Sequence, residues 1–106
     1  MTIDIILRSV HSKPSILADA TIVFKQGDLA GLMLTGFTIF KGRGDHPFVT
    51  VPSRPYQKNG ETKYYWLLRP VDSEDDSALT ALRDAILVAY RKVIKNKEVE
   101  LSECSL

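Results

Sequence analysis

Residues 59–70 read Asn-Gly-Glu-Thr-Lys-Tyr-Tyr-Trp-Leu-Leu-Arg-Pro, and this stretch carries the strongest local structural signal in the chain. Asn59 and Gly60 both tolerate a positive φ, which a type I′ hairpin turn requires at its two central positions. The aromatic and aliphatic run from Thr62 to Arg69 therefore predicts the return strand of a hairpin. Pro70 ends that strand because proline has no amide hydrogen to donate.

Upstream of the hairpin, alternating hydrophobicity predicts further strands. Apolar and polar residues alternate from Ile3 to Arg8 and from Ala18 to Lys25, as in strands with one wet face. The segment Leu29–Phe40 is apolar on both faces, which predicts a strand covered on both sides. Phe48–Val51 reads as a short strand closed by Pro52.

Downstream of Pro70 the sequence predicts one helix. Ser73 and Asp76 fit a loose capping box, and the acidic residues around them suit the positive end of the helix dipole. Asn96 marks its expected end. An apolar stripe at helical spacing predicts the face that packs on the sheet: Leu79, Leu82, Ile86, Tyr90 and Val93.

The back of this helix is also mostly apolar. Its residues are Ala78, Ala81, Ala85, Val88 and Ala89. Helix propensity alone accounts for the pattern, since alanine is the best helix former. The alternative is that a second surface packs there, either a partner subunit or the chain's own tail.

Taken together, these elements predict an α+β fold, with a small antiparallel sheet of about five strands and one C-terminal helix packed on it. With 106 residues, the chain fits one domain over residues 1–96 and a polar tail over 97–106. The lone cysteine, Cys104, excludes a disulfide scaffold. No signal-peptide pattern and no apolar run of roughly 20 residues is present, so we predict a cytoplasmic protein with no membrane partner.

No pattern in the sequence predicts catalysis, a metal site or a cofactor. His11 and His46 lack the Cys or Glu neighbours that are typical of metal sites, and no pairing of nucleophile and base is visible. We therefore expect no enzyme and no small-molecule substrate. A deep polar pocket lined by titratable groups would reopen that hypothesis.

Basic residues supply the candidate nucleic-acid contacts. The net charge of +1 gives no global attraction to nucleic acid, so any such surface must be a local patch. One candidate group follows the predicted helix to its end, where the dipole favours cations whatever the function. The other lies on or near loops of the sheet. The candidates are Arg91, Lys92 and Lys95 on the helix, and Arg54, Lys58, Lys41 and Arg43 on the sheet.

The sheet cations, to which Lys63 also belongs, have four aromatic residues among them: Tyr56, Tyr64, Tyr65 and Trp66. Aromatic faces between cations can stack bases while the cations hold phosphates. The same rings also stabilise a hairpin by packing across its strands. Arg83, at the edge of the helix stripe, leaves two roles open: it extends its charge to solvent or pairs with a carboxylate across an interface.

The middle of the chain resembles the stage V sporulation protein G (SpoVG) family, over roughly residues 30–93. The resemblance begins with the strand Gly36–Phe40 and a glycine turn. Phe48-Val-Thr-Val follows and leads into Pro52-Ser-Arg54, the most specific element. A hairpin, a strand ending at Pro70 and the helix pattern from Ala85 to Tyr90 complete it. The aromatic Tyr64-Tyr-Trp66 and the N-terminal half depart from the family pattern.

The resemblance implies a function that the composition does not. It implies a bacterial regulator that binds DNA or RNA as a homodimer built by joining sheets, linked to septation or developmental control. The alternative is a protein-interaction or dimerisation module without nucleic-acid binding, which the near-neutral net charge favours.

Overall fold

The computed structural model describes residues 3–10, 13–44 and 46–104, with side chains up to Ile94. It has the expected α+β fold with one C-terminal helix packed on antiparallel strands. Strands β1 to β4 form a sheet in chain order, and β5 pairs with β6 as a separate two-stranded sheet. The elements are β1 (Ile3–Ser9), β2 (Ile16–Phe24), β3 (Met33–Phe40), β4 (Phe48–Thr50), β5 (Ser53–Lys58), β6 (Glu61–Trp66) and α1 (Ser77–Cys104).

The hairpin forms a sheet of its own, which the expectation of one sheet of about five strands did not include. We call β5, β6 and their turn the ribbon. Asn59 and Gly60 have φ angles of 55° and 76°, as a type I′ turn requires. Every residue of both strands is exposed. One backbone bond at the base of the ribbon, from the Leu67 amide to the Pro52 carbonyl (2.9 Å), continues the pairing.

Gly36 changes which side chains of β3 reach the core. The register shifts between the pairs Ile22–Leu34 and Ala20–Phe37, so two residues of β3 oppose one of β2. This bulge places Leu34 on the same side as the buried Phe37, and Gly36 accommodates it with a φ of 102°.

The expectation that β3 is covered on both faces is therefore wrong for the single chain. The bulge gathers the apolar side chains on the helix side, and Met33 on the other side is 61% exposed. The expected start of the strand is wrong as well. Residues 29–31 belong to a turn, in which the Ala30 amide donates to the Gly27 carbonyl (3.1 Å).

The helix packs on the sheet along the predicted stripe for its first turns. Leu79, Leu82 and Ile86 are buried and Tyr90 is half-buried against the core. Val93, predicted for the same stripe, is 38% exposed. Along the described part of the helix, the stripe is therefore packed from Leu79 to Tyr90 and exposed at Val93.

Both predicted ends of the helix need correction. The helix begins at Ser77, so Ser73 and Asp76 do not form a capping box around its start. Instead the Asp75 carboxylate accepts hydrogen bonds from the Ser77 amide (3.1 Å) and hydroxyl (2.7 Å). The helix ends at Cys104 and runs through Asn96, so most of the expected tail at 97–106 is helical. The tail's side chains lie outside the described residues.

Candidate nucleic-acid interface

The register of the ribbon separates its charged and neutral side chains. Residues directly opposite each other in an antiparallel pair point to the same face. The pairs on one face are Arg54 with Tyr65, Tyr56 with Lys63, and Lys58 with Glu61. The pairs on the other face are Ser53 with Trp66, Pro55 with Tyr64, and Gln57 with Thr62. We call these the cationic face and the neutral face.

The cationic face carries three cations, one carboxylate and two tyrosines. Tyr56 is 44% exposed and Tyr65 is 52% exposed, so both side chains are accessible from solvent. The Arg69 guanidinium lies over the Tyr65 ring, 5.0 Å from its centre, and adds a fourth cation beside the face. Within the part of the chain that the structure describes, no ion pair neutralises these basic side chains. The face is thus a local positive patch on a nearly neutral protein.

The neutral face borders a cleft. Tyr64 and Trp66 form one wall, Phe48 of the edge strand β4 forms another, and Arg83 and Leu87 of the helix form a third. The cleft has a volume of about 740 Å³. Its lining is mainly apolar and aromatic.

Arg83, whose role the sequence left open, contacts the ribbon. Its guanidinium lies 5.4 Å from the centre of the Trp66 ring. Its Nε is buried and has no hydrogen-bond partner among the described residues. The Nε atom therefore does not reach solvent, and the side chain makes no ion pair with a described carboxylate.

The predicted cations lie on three parts of the fold: the ribbon, the loop between β3 and β4, and the helix. Arg54 and Lys58 share the cationic face of the ribbon. Lys41 and Arg43 lie in the exposed loop between β3 and β4. Lys41 lines a cavity of about 350 Å³ together with Tyr90 of the helix.

The helix cations follow Tyr90 along the chain. Arg91 and Lys92 are exposed and follow Tyr90 directly. The side chain of Lys95, the third predicted helix cation, lies outside the described residues. The cavity thus joins the loop to the helix at Tyr90, but Arg91 and Lys92 do not line it.

Arg69 belongs to the ribbon site but was not among the predicted contacts, and Lys63, one of the sheet cations near the aromatic residues, joins the same face. Lys63 lies opposite Tyr56, and the Arg69 guanidinium lies over the Tyr65 ring. The position of Lys63 on the cationic face could have been predicted from the two-residue turn at 59–60, because loop length fixes the register of a hairpin. Arg69 follows β6, and its position over Tyr65 depends on how the chain leaves the ribbon.

Two titratable groups away from the ribbon have shifted pKa values. The hydroxyl and amide of Ser77 lower the pKa of Asp75 by hydrogen bonding to its carboxylate. Burial raises the pKa of Tyr90. Both groups belong to the helix and its start.

Two statements on metal binding and membrane insertion hold for the described residues. Among them, no group of three or more His, Cys, Asp or Glu side chains is arranged to hold a metal ion. No helix in the same part of the chain is long and apolar enough to cross a membrane.

The comparisons with known proteins add no family assignment: no protein-family model matches the chain, and no curated protein matches it significantly.

Proposed function

We propose that this chain is a cytoplasmic bacterial regulator of the SpoVG type, which binds DNA or RNA as a homodimer and acts by binding rather than catalysis. The observation that supports nucleic-acid binding is the cationic face of the ribbon. There the register aligns Arg54, Lys58 and Lys63 with two exposed tyrosines. The link to septation or developmental control rests on the sequence resemblance alone.

The ribbon suits a polyanion because its charges are concentrated and unpaired. Phosphate contacts supply most of the affinity in nucleic-acid binding and do not require a high net charge over the whole protein. The ribbon projects without burying its side chains, so a long ligand can reach all of them. Lys41 and Arg43 of the loop and Arg91 and Lys92 of the helix would add further phosphate contacts.

In the proposed dimer, the two chains would contact each other through the neutral face of the ribbon and the edge strand β4, while the cationic face stays accessible to nucleic acid. Tyr64 is 65% exposed and Trp66 is 45% exposed on the neutral face. Strand β4 lies at the edge of its sheet and pairs with β3 on one side. An edge strand next to apolar side chains is a usual site of pairing with another chain. This support applies equally to the alternative function, a protein-interaction or dimerisation module.

Nucleic-acid titration by fluorescence anisotropy separates the two functions. Binding to labelled DNA and RNA is measured at about 50 mM and about 200 mM salt. The triple substitution of Arg54, Lys58 and Lys63 by Gln is expected to weaken binding at least tenfold. It should also reduce the slope of log affinity against log salt by about three, one for each phosphate contact.

A matched control removes one arginine and two lysines elsewhere, at Arg8, Lys13 and Lys25. It is expected to change affinity less than threefold, because these cations lie outside the ribbon and the exposed ion pairs of Arg8 with Asp19 and Lys25 with Asp4 contribute little to the fold. A third variant replaces Arg91 and Lys92 by Gln and measures the share of the helix region. Absence of binding by the native chain at low salt would contradict the proposal and favour the protein-interaction module.

Light scattering tests the dimer independently of nucleic acid. At micromolar concentration we expect the mass of two chains. Tyr64→Lys should shift the mass to that of one chain because it places a charge in the apolar neutral face. Tyr65→Lys is the control on the opposite face and should leave the dimer intact. A native mass of one chain would contradict the dimer.

A further inference from the structure

We infer that the cationic face of the ribbon takes single-stranded nucleic acid, with unpaired bases stacked on Tyr56 and Tyr65 and phosphates held by the flanking cations. This inference rests on the proposed function and specifies its ligand. It is carried by the register of the ribbon, by the exposure of the two rings and by the stacked position of Arg69.

The two tyrosines are placed for stacking on neighbouring bases. Tyr65 lies opposite Arg54, and Tyr56 lies opposite Lys63, so the rings are diagonal neighbours on one face. Diagonal neighbours in an antiparallel pair are about 7–8 Å apart. Each ring can therefore take a different base, and each has a cation directly across from it for the adjoining phosphate.

The position of Arg69 strengthens this arrangement. Its guanidinium lies 5.0 Å from the centre of the Tyr65 ring, yet the tyrosine keeps 52% of its surface exposed. A guanidinium plane is itself a stacking surface for bases as well as a phosphate ligand. Tyr65 and Arg69 thus place an aromatic ring and a cation side by side, and both can contact one nucleotide.

Duplex DNA would leave these rings without partners. In a duplex the faces of the bases are covered by their neighbours, and only base edges are presented in the grooves. A two-stranded ribbon fits the major groove, where polar side chains read those edges. The middle of this face carries tyrosine rings, and such rings bind most favourably by stacking on exposed base faces. The geometry therefore favours unpaired strands.

The experiment compares single strands and duplexes on the native chain and two ring variants. A fluorescein-labelled oligonucleotide of about 12 nucleotides, as DNA and as RNA, is titrated alone and as its duplex. The Tyr56→Leu/Tyr65→Leu variant keeps apolar side chains but has no rings. The Tyr56→Phe/Tyr65→Phe variant keeps the rings and is the matched control. Circular dichroism and light scattering check that both variants keep the native fold and mass.

We expect the native chain to bind the single strands at least tenfold more tightly than the duplex. The Leu variant should lose about tenfold or more in single-strand affinity while its duplex affinity stays within threefold. The Phe variant should keep the native preference. Equal or tighter duplex binding, or equal affinities of the Leu and Phe variants for single strands, would overturn the inference.

These outcomes are distinguishable from failure of the proposed function. Salt-dependent binding that needs Arg54, Lys58 and Lys63 but prefers duplex would retain nucleic-acid binding and remove base stacking. No binding of the native chain to any oligonucleotide would overturn both.

Discussion

The Arg83 guanidinium lies 5.4 Å from the centre of the Trp66 ring and joins the helix to the base of the ribbon. The ribbon otherwise makes few contacts with the rest of the chain, since its residues are all exposed. This pair therefore helps to set the direction in which the ribbon leaves the sheet. Two opposing terms act on Arg83: the cation–π attraction and the buried Nε without a partner.

Replacement of Arg83 by Met tests whether the cation–π attraction or the cost of the buried Nε contributes more to the free energy of unfolding. A partly exposed cation–π contact contributes about 0.5–1 kcal/mol. A buried donor without a partner costs about 1–3 kcal/mol. We expect Arg83→Met to leave the free energy of unfolding unchanged or to raise it by up to about 1 kcal/mol, as measured by urea denaturation.

Trp66→Ala is the companion variant. It should lower the free energy of unfolding by about 1–2 kcal/mol, less than a buried tryptophan because the ring is 45% exposed. A loss of more than about 1 kcal/mol in Arg83→Met would show that the Nε–H group has a partner in solution.

Gly36 offers a test of the bulge that organises β3. Its φ of 102° strains any other residue, and an added Cβ would lie 3.1 Å from the Cβ of the buried Pro52. We expect Gly36→Ala to lower the free energy of unfolding by about 2–3 kcal/mol, measured by urea denaturation.

Gly31→Ala is the matched control for Gly36→Ala. Gly31 has a similar φ of 91°, but an added Cβ would meet nothing within 4 Å. Its substitution should cost only the backbone strain, about 1 kcal/mol. Equal losses in the two variants would mean that Pro52 moves away without cost.

The ribbon is expected to open independently of the four-stranded sheet. An isolated two-stranded hairpin is marginally stable in water. In the Tyr64→Lys background, Gly60→Ala should strain the turn, where φ is 76°, and speed hydrogen exchange of ribbon amides at least fivefold. The midpoint of global unfolding should stay unchanged.

The control for this prediction is Gly27→Ala. Gly27 has a φ of 81° and equally open surroundings, but its turn joins β2 and β3 of the main sheet. This substitution should lower the global midpoint. If Gly60→Ala lowers the midpoint as much as Gly27→Ala does, then the ribbon unfolds together with the sheet.

The hydrogen-bonded carboxylate of Asp75, at the start of the helix, should make the stability of the fold depend on pH. Hydrogen bonds from Ser77 lower the pKa of Asp75 below its ordinary value of 3.8. Such a group stabilises the fold above the unfolded pKa, and this contribution is lost as pH falls through the lower, folded pKa. Asp75→Ala should therefore lower the thermal midpoint by a few degrees at neutral pH.

The difference between Asp75→Ala and the native chain should narrow below about pH 4 and vanish once the native carboxyl is protonated. Thermal unfolding followed by circular dichroism at several pH values measures it. Asp76→Ala is the control, since Asp76 shares the helix dipole but its carboxylate has no hydrogen bond to a described residue. A constant difference at all pH values would contradict a role for the Asp75 charge.

The sequence was sufficient to predict the elements whose signals are local. Asn59-Gly60 identified the hairpin because few residues accept a positive φ at both positions, and Leu79, Leu82 and Ile86 identified the buried helix face by their spacing. Failures came where one residue altered a regular pattern. Gly36 adds a bulge, after which the alternation of side chains along β3 no longer assigns them to the correct faces.

Only the part of the candidate site that follows from local strand alternation could be predicted from the sequence. Arg54 and Lys58 lie two residues either side of Tyr56, so strand alternation alone places all three on one face. That Lys63 joins them follows from the two-residue turn, but only once the turn type is known. The position of Arg69 over Tyr65 depends on the tertiary path after β6, which no local pattern specifies.

Because the ribbon contributes no buried residue to the core, its sequence is released from the packing constraints that limit change elsewhere in the chain. Apart from Trp66, which contacts the helix, substitutions there can alter charge and aromatic content while the β1–β4 sheet and the helix keep their stability. The ribbon sequence is therefore the least constrained by core packing. We expect relatives that bind different ligands to differ mainly in the residues of the ribbon.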